Sequence, residues 1–300
     1  MKVVKFLLKA IALFLLLVLG TVTFVWWYIS PAVIDQGRVV YTQRHGKDLS
    51  FEVFHPAEQD ERKHLGIILL NSGSWKSNPE RDRLAIISPL IRRGYSVFIL
   101  SHLSQPEASV MEIVEDVNRA VRTIRHHAEG YGIDPSRIGV TGGSSGGHLA
   151  LMLATKGGAG ELDVPDPIGR ESSAVQAVAV FFPVTDLLNL GDSTENLGNG
   201  GPPKSFVKGF RSDAKEIEKW KVIGRAMSPI YHVSSDLPPV LIHHGDADTL
   251  VPLDQSQRFQ KAAESKMARV TLVVRKGKKH GWVTMFIDIF QFADWFDENL

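Results

Sequence analysis

Short apolar runs alternate along this chain with segments whose apolar residues recur on one side of a helix. Two segments, Leu84 to Ile91 and Val110 to Ile124, follow the i, i+3, i+4, i+7 spacing of an amphipathic helix. The apolar runs have the length and composition of strands that are buried on both faces. These predicted strands are Gly66–Leu70, Ser96–Leu100, Ile138–Thr141, Val178–Phe182, Val240–His244 and Val270–Val274.

The regular alternation of strand and helix predicts an α/β fold, with a mostly parallel central sheet and helices on both faces. Val39–Tyr41 and Phe51–Phe54 are predicted to add antiparallel strands at one edge of this sheet. A hydrophobic content of 44% is enough for one large core, so we expect a single domain over residues 31–300.

The N-terminal segment has the composition of a membrane-spanning helix. Ala10 to Ile29 contains 20 uncharged residues, which as a helix would cover about 30 Å, the thickness of the hydrocarbon core. The run ends in Trp26–Tyr28, and such aromatic residues favour a membrane interface over a signal cleavage site. We interpret residues 1–30 as an anchor that leaves the remaining domain outside the cytoplasm, with secretion after signal cleavage as the alternative.

Charge and cysteine content exclude several classes of function. The chain has 34 Lys and Arg against 33 Asp and Glu; without Lys2, Lys5 and Lys9 the balance is 31 against 33, a formal charge of −2. A basic surface for nucleic acid is therefore not expected. The absence of cysteine excludes disulfides, thiolate catalysis and cysteine-bound zinc. No metal-ligand spacing is apparent, so we expect neither a metal nor another cofactor.

Residues 189–228 interrupt the alternation. They are rich in Gly, Asn and Lys around Gly198–Pro203, with a polar helix predicted at Asp213–Lys221. Such an insertion is either a solvated loop or a small cap that shapes the substrate site, and the sequence leaves both open.

The segment Ile138–Ala150 passes from a predicted strand into an apolar helix through a turn dense in glycine and serine. A serine held on a strained turn at a helix N-terminus is the arrangement that activates a serine nucleophile. A phosphate-binding loop would need a following lysine, which is missing. His148, in the first turn of the helix, we expect to pack or to hydrogen-bond rather than to catalyse. Two G-x-S-x-G frames overlap here, Gly142-x-Ser144-x-Gly146 and Gly143-x-Ser145-x-Gly147.

The turn resembles the elbow G-x-S-A-G-G-x-L-A of the carbohydrate-esterase and hormone-sensitive-lipase branches of the α/β-hydrolase superfamily. The resemblance favours Ser144 as the nucleophile and implies the α/β-hydrolase fold and ester hydrolysis. It is greatest to the feruloyl and acetylxylan esterase-like group and covers roughly residues 38–300. Further matching segments are Tyr131–Gly139, Phe182–Leu187 and Met227–Ile230.

A serine nucleophile needs a histidine base and a carboxylate that orients it, and in this fold they follow in the order Ser, acid, His. Of the eleven histidines, His280 lies well beyond the last aspartates that follow a predicted strand, which makes it the candidate base. The resembling pattern H-G-x-x-D-x-x-V-P, here His244–Pro252, implies Asp248 as the acid. Asp246 and Asp186 remain the alternatives.

The oxyanion hole is expected to combine the Ser145 backbone N–H with donors from the loop after the strand Gly66–Leu70. Related esterases read H-G-G-G-W in this loop, whereas this chain reads Asn71-Ser-Gly-Ser-Trp75. The resemblance implies Gly73 and Ser74 as backbone donors, since a Gly-to-Ser change keeps the amide if the conformation is kept.

These features together predict a serine carboxylesterase that works through an acyl-enzyme. The resemblance suggests esters with short acyl or aryl groups, some of them linked to carbohydrate, as substrates. Two other classes stay open: a peptidase similar to prolyl oligopeptidases, which share the H-G-x-x-D pattern, and a non-catalytic hydrolase-fold binding protein tethered to a membrane.

Overall fold

The structure, a computed structural model, describes residues 2–58, 63–77 and 84–300. The ten strands in these residues are β1 Val33–Arg44, β2 Lys47–Pro56, β3 Gly66–Leu70, β4 Ser72–Gly73, β5 Lys76–Ser77, β6 Ser96–Leu100, β7 Ile138–Gly143, β8 Ala177–Phe181, β9 Val240–Gly245 and β10 Val270–Arg275. The seven α-helices in the same residues are α1 Lys2–Ile29, α2 Leu84–Arg92, α3 Val110–His126, α4 Ser145–Lys156, α5 Ile217–Ala226, α6 Asp254–Glu264 and α7 Met285–Asn299.

Eight strands form one twisted sheet in the order β1-β2-β6-β3-β7-β8-β9-β10. The strands β6, β3, β7, β8, β9 and β10 are parallel, whereas β1 pairs with β2, and β2 with β6, in the antiparallel sense. The predicted α/β fold with antiparallel strands at one edge is therefore confirmed. The strands β4 and β5 form a separate hairpin just after β3.

Neighbouring residues of the central strands point to opposite faces of the sheet, and both faces are covered. Ile68 and Phe98 belong to the core under α3 and α4, while Ile67 and Val97 belong to the core under α2 and α7. All four side chains are fully buried. A strand buried on both faces needs apolar residues at consecutive positions, which explains why these strands read as continuous apolar runs.

The helix predicted within the insertion begins later than expected. A 3₁₀ turn covers Ser212–Lys215, and α5 begins only at Ile217 because Glu216 has an extended backbone, with φ −91° and ψ 117°. The prediction of a helix from Asp213 was wrong for this reason, although α5 does include the second half of the predicted segment.

One helix among the described residues, α1, is long and apolar enough to span a membrane, over Val4–Ile29. None of its most apolar window is buried against the rest of the protein. Its C-terminal end does contact the domain, since the Tyr28 ring stacks on Phe290 with centroids 5.1 Å apart. The helix fits an anchor or a signal sequence.

Candidate active site

Ser144 occupies the sharp turn between β7 and α4. Its φ is 56° and its ψ −121°, a conformation that a residue with a side chain adopts at a cost of about 1–3 kcal/mol. The Ser144 N–H donates to the Phe181 carbonyl at 3.0 Å, which ties the strained turn to the end of β8. The side chain thereby stands at the carboxyl edge of the parallel strands, where ligands bind in open α/β sheets.

The space around the glycines beside this turn distinguishes the two overlapping G-x-S-x-G motifs, one centred on Ser144 and the other on Ser145. A Cβ added to Gly146 would lie 2.4 Å from the Leu70 carbonyl oxygen, and one added to Gly142 would lie 2.7 Å from the Gly146 carbonyl carbon. A Cβ on Gly143 would meet nothing nearer than 3.6 Å. Close packing of α4 against β3 and β7 therefore requires glycine at the two positions that flank Ser144.

Three side chains from distant parts of the sequence meet at this turn. The Ser144 hydroxyl lies 3.0 Å from His280 Nε2, and His280 Nδ1 lies 2.7 Å from Asp248 Oδ2. Asp248 sits just after β9 and His280 after β10, so each follows the carboxyl end of a parallel strand. With Nδ1–H donating to the carboxylate, Nε2 is left to accept the serine proton.

The Asp248 carboxylate is held in its ionised form. Burial raises its pKa, but hydrogen bonding with His244 and His280 lowers it more, and the net result is a pKa well below the usual range. Its second oxygen, Oδ1, accepts from the N–H groups of Leu250 and Val251 at 2.9 and 3.0 Å. These bonds fix the carboxylate plane, and through it the orientation of the imidazole.

The hydroxyl of Ser145, the alternative nucleophile, is engaged elsewhere. The Ser145 side chain is buried, and its Oγ accepts the Trp75 backbone N–H at 2.9 Å. The hydroxyl of Ser72 lies 3.2 Å from the same Oγ. Ser145 thus ties the loop after β3 to the start of α4.

The alternative acids also have structural partners. Asp186 forms an ion pair with Arg258, and its Oδ1 accepts from the N–H groups of Leu188 and Asn189. Asp246 Oδ1 accepts from the Gly277 N–H, which bridges the loops after β9 and β10. Of the three candidate acids, Asp248 is the one that the structure brings to His280.

The loop predicted to supply oxyanion donors is a tight hairpin between β4 and β5. Its two central residues, Ser74 and Trp75, both have a left-handed backbone, with φ of 56° and 52°. The Trp75 N–H is used by Ser145 Oγ, while Gly73 and Ser74 line a cavity together with Ser144. The backbone amides of Gly73, Ser74 and Ser145 thus remain the candidate donors.

A hydrogen-bonded chain behind this hairpin escaped the sequence analysis. The Trp75 indole Nε1–H donates to His148 Nδ1 at 3.1 Å, and His148 Nε2 lies 2.7 Å from the Met227 carbonyl oxygen. Burial lowers the pKa of His148 to about 4, so the ring is neutral and donates its Nε2–H to Met227. The prediction that His148 hydrogen-bonds in the first helical turn is confirmed. Its position four residues after Ser144 was the only signal that it faces the loop.

Ser144 lines two cavities. The smaller has an empty volume of about 480 Å³, and its wall includes Glu195, Pro203 and Phe206 from the insertion. The larger has an empty volume of about 1610 Å³ and includes His280 in its wall. The described residues contain no cluster of three His, Cys, Asp or Glu side chains that could hold a metal ion.

The sheet order, the strained serine turn and the Ser-His-Asp contacts define a protein of the α/β-hydrolase superfamily. Comparison with known families gives the particular branch. The BD-FAE family model matches residues 51–263, so the chain belongs to the BD-FAE family.

Individual relatives agree with this placement. The chain is 32% identical to the esterase LipQ of Mycobacterium tuberculosis over 202 residues, which cover 65% of this chain and 45% of LipQ. The chain spans about half the length of the curated relatives that it matches.

Solved structures match over nearly their full length. A truncated carbohydrate esterase from gut microbiota has a TM-score of 0.69 and 26% identity, with 90% of this chain and 99% of that chain covered. A butyrate-bound esterase from the Planctomycetes species Thermogutta terrifontis has a TM-score of 0.65 and 27% identity, with 87% and 91% covered.

Proposed function

We propose that this protein is a serine carboxylesterase that hydrolyses esters through an acyl-enzyme. One observation carries the proposal: the Ser144 hydroxyl lies 3.0 Å from His280 Nε2, while His280 Nδ1 is held by Asp248 at 2.7 Å. The esterases to which the chain is similar, and the family to which it belongs, support the same reaction class.

In this mechanism, His280 takes the hydroxyl proton of Ser144 as the oxygen attacks the ester carbonyl carbon. The resulting oxyanion accepts hydrogen bonds from the Ser145 N–H and from the amides of Gly73 and Ser74. The imidazolium then protonates the leaving alcohol, and the acyl group stays on Ser144. A water deprotonated by His280 releases the acid and restores the serine.

Short acyl esters, including those linked to carbohydrate, are the substrate class that the relatives suggest. The butyrate-bound esterase and the carbohydrate esterase carry such groups in their descriptions. The wall of the smaller cavity includes the polar residues Ser193, Glu195 and Gln255 beside apolar ones. Because part of that wall comes from residues 189–228, we propose that this insertion acts as a small cap over the substrate.

The N-terminal helix supports a proposal about location. We propose that α1 anchors the protein with its lysine-rich end in the cytoplasm, which places the catalytic domain over residues 31–300 on the other side of the membrane. Protease protection of tagged protein in intact cells, compared with permeabilised cells, measures this orientation.

Labelling with a fluorophosphonate probe tests the reaction class. The full chain in its membrane should be labelled, Ser144→Ala should abolish labelling, and Ser145→Ala should keep it at a reduced rate. Absence of labelling in the folded wild type would support the non-catalytic binding protein instead. If Ser145→Ala abolished labelling and Ser144→Ala did not, Ser145 would be the nucleophile.

A substrate panel then separates the esterase from the peptidase. Acetyl and butyryl aryl esters should be hydrolysed with a kcat/KM at least about 100-fold above that for aminoacyl anilides. The reverse order would contradict the proposal, because Ser144 would then serve amide hydrolysis.

A further inference from the structure

The larger cavity beside Ser144 is a channel whose lining includes the polar residues Asn71, Ser72, Ser74 and Thr141 and is apolar where α2 and α7 supply it. Ser144 and His280 lie in its wall, and it extends between α2 and α7. None of its described lining residues is Asp, Glu, Lys or Arg. The part of the wall that the two helices supply consists of Ile86, Ile87, Leu90, Met285, Phe286 and Ile289.

The exposure of these side chains shows where the channel opens. Ile87 and Leu90 are buried, whereas Ile86 is 38% exposed and Phe286 is 45% exposed. On the side that α2 and α7 form, the channel therefore opens at Ile86 and Phe286, the two exposed residues of this part of its wall. Transfer of exposed apolar side chains from water to an apolar phase is favourable, so these two residues favour contact of the mouth with such a phase.

The same two helices hold the end of the membrane-spanning helix α1. Arg92 on α2 donates from Nε to the Tyr28 carbonyl at 3.0 Å, and the Ser88 hydroxyl donates to the same oxygen. On α7, the ring of Phe290 stacks on Tyr28. Phe290 lies four residues after Phe286, so the contact with α1 and the channel mouth are about one helical turn apart.

The end of α1 also marks the level of the membrane surface. Trp26 and Trp27 are 67% and 54% exposed, and aromatic rings at a helix end favour the interface between hydrocarbon and water. Because Tyr28 directly follows these rings and is fixed to α2 and α7, the channel opens beside the membrane interface.

We propose that this channel takes the long hydrocarbon chain of an ester lipid that reaches Ser144 from the membrane beside α1, an inference that rests on the esterase activity proposed above. Such a chain would pass from the bilayer into the channel without exposing its length to water. The smaller cavity, with its polar groups, would take the short part of the same ester.

Chain-length dependence in vesicles tests the proposal on the wild-type full chain. The protein is reconstituted in phosphatidylcholine vesicles that contain, at one fixed mole fraction, either methyl esters of acids from butyrate to palmitate or acetates of alcohols from butanol to hexadecanol. In one of the two series kcat/KM per surface concentration should stay within about tenfold along the series, because the chain moves from one apolar phase to another, whereas a route through water would cost up to about fourfold for each added methylene group. The series that keeps its kcat/KM identifies the acyl or the alcohol chain as the occupant.

Fluorophosphonate labelling of Ser144 in the same vesicles separates the two proposals. A kcat/KM that falls with chain length in both series, with normal labelling, would overturn the lipid channel and leave the esterase standing. An absence of labelling would overturn the esterase, and the lipid channel with it.

Two substitutions on α7 provide a matched pair. Phe286→Asp puts a charge at the channel mouth, and Ile287→Asp puts the same charge on the adjacent residue, which is 49% exposed and does not line the channel. Phe286→Asp should lower the ratio of long-chain to short-chain kcat/KM by about tenfold or more, because the chain must pass a carboxylate. Ile287→Asp should keep the ratio. An equal loss of the long-chain to short-chain ratio in both variants would overturn the proposal, because a charge anywhere near the membrane would then explain the effect.

Discussion

The steric requirement for glycine at position 146 leads to a prediction whose size follows from the structure. An ordinary contact of a Cβ is 3.4–4 Å, and a Cβ at Gly146 would stand 2.4 Å from the Leu70 carbonyl oxygen. Gly146→Ala therefore forces α4 and β3 apart by about 1 Å. The Leu70 oxygen is a backbone atom and the backbone fixes the position of the Cβ, so no side-chain rotation can relieve this contact.

This displacement should be visible in stability and in catalysis. Overpacking of this kind costs about 1–3 kcal/mol, and each kcal/mol lowers Tm by about 2–4 °C in a domain of this size. Ser144 directly precedes α4, so the shift also disturbs the 3.0 Å contact of its hydroxyl with His280. A misplacement of about 1 Å at a reacting group can reduce the rate about 100-fold.

The assay combines three measurements on the full chain in detergent micelles: Tm by calorimetry, kcat/KM with nitrophenyl acetate, and the rate of fluorophosphonate labelling. Gly143→Ala is the matched control, because its Cβ would make only ordinary contacts with Phe181 and Phe182 at 3.6 Å and beyond. The control should keep Tm within about 2 °C and kcat/KM within about fivefold of the wild type. Equal damage in both variants, or a fully active Gly146→Ala, would refute the steric reasoning.

Three further predictions concern the carboxylates and the chain behind the hairpin. Asp248→Asn should lower kcat by about 10⁴-fold, because His280 loses the carboxylate that orients it. Asp186→Asn should lower stability but keep kcat within about tenfold of the wild type. If steady-state kinetics gave the reverse order, Asp186 would be the catalytic acid. Burial lowers the pKa of His148 to about 4, so below about pH 6.5 the unfolded chain binds more protons at this residue than the folded protein does. His148 should therefore lower the free energy of unfolding by about 2 kcal/mol at about pH 5. Urea unfolding of His148→Gln should show a correspondingly weaker pH dependence, and an unchanged slope would contradict a neutral buried ring. Trp75→Phe leaves the acceptor Nδ1 of His148 buried without its donor, so we expect a loss of about 1–3 kcal/mol in the same unfolding assay, and wild-type stability would show that the bond is dispensable.

The predicted strands show which elements the pattern of apolar residues in the sequence can locate. The apolar runs at Gly66–Leu70 and Ser96–Leu100 coincide with β3 and β6, because a strand buried on both faces favours apolar residues at consecutive positions. The helix predicted at Asp213–Lys221 failed at its start, since the extended backbone of Glu216 separates a 3₁₀ turn from α5. Polar surface segments lack the pattern of apolar residues that would locate the start of a helix.

The order of elements along the chain, and therefore the places of Ser144 after β7 and of His280 after β10, could be predicted from the sequence by itself. The choice between Ser144 and Ser145, and between Asp248 and its two alternatives, depended on resemblance at that stage. Tertiary structure supplies the physical reasons: Ser145 Oγ accepts the Trp75 amide, and Asp248 alone of the three carboxylates reaches His280.

Some features exist only in three dimensions. The chain from Trp75 through His148 to the Met227 carbonyl joins residues 73 and 79 positions apart, and no local pattern reports such contacts. The channel likewise arises where α2 and α7, far apart in sequence, come together against the end of α1. Periodicity specifies which face of an element is buried, whereas packing between distant elements decides which residues meet.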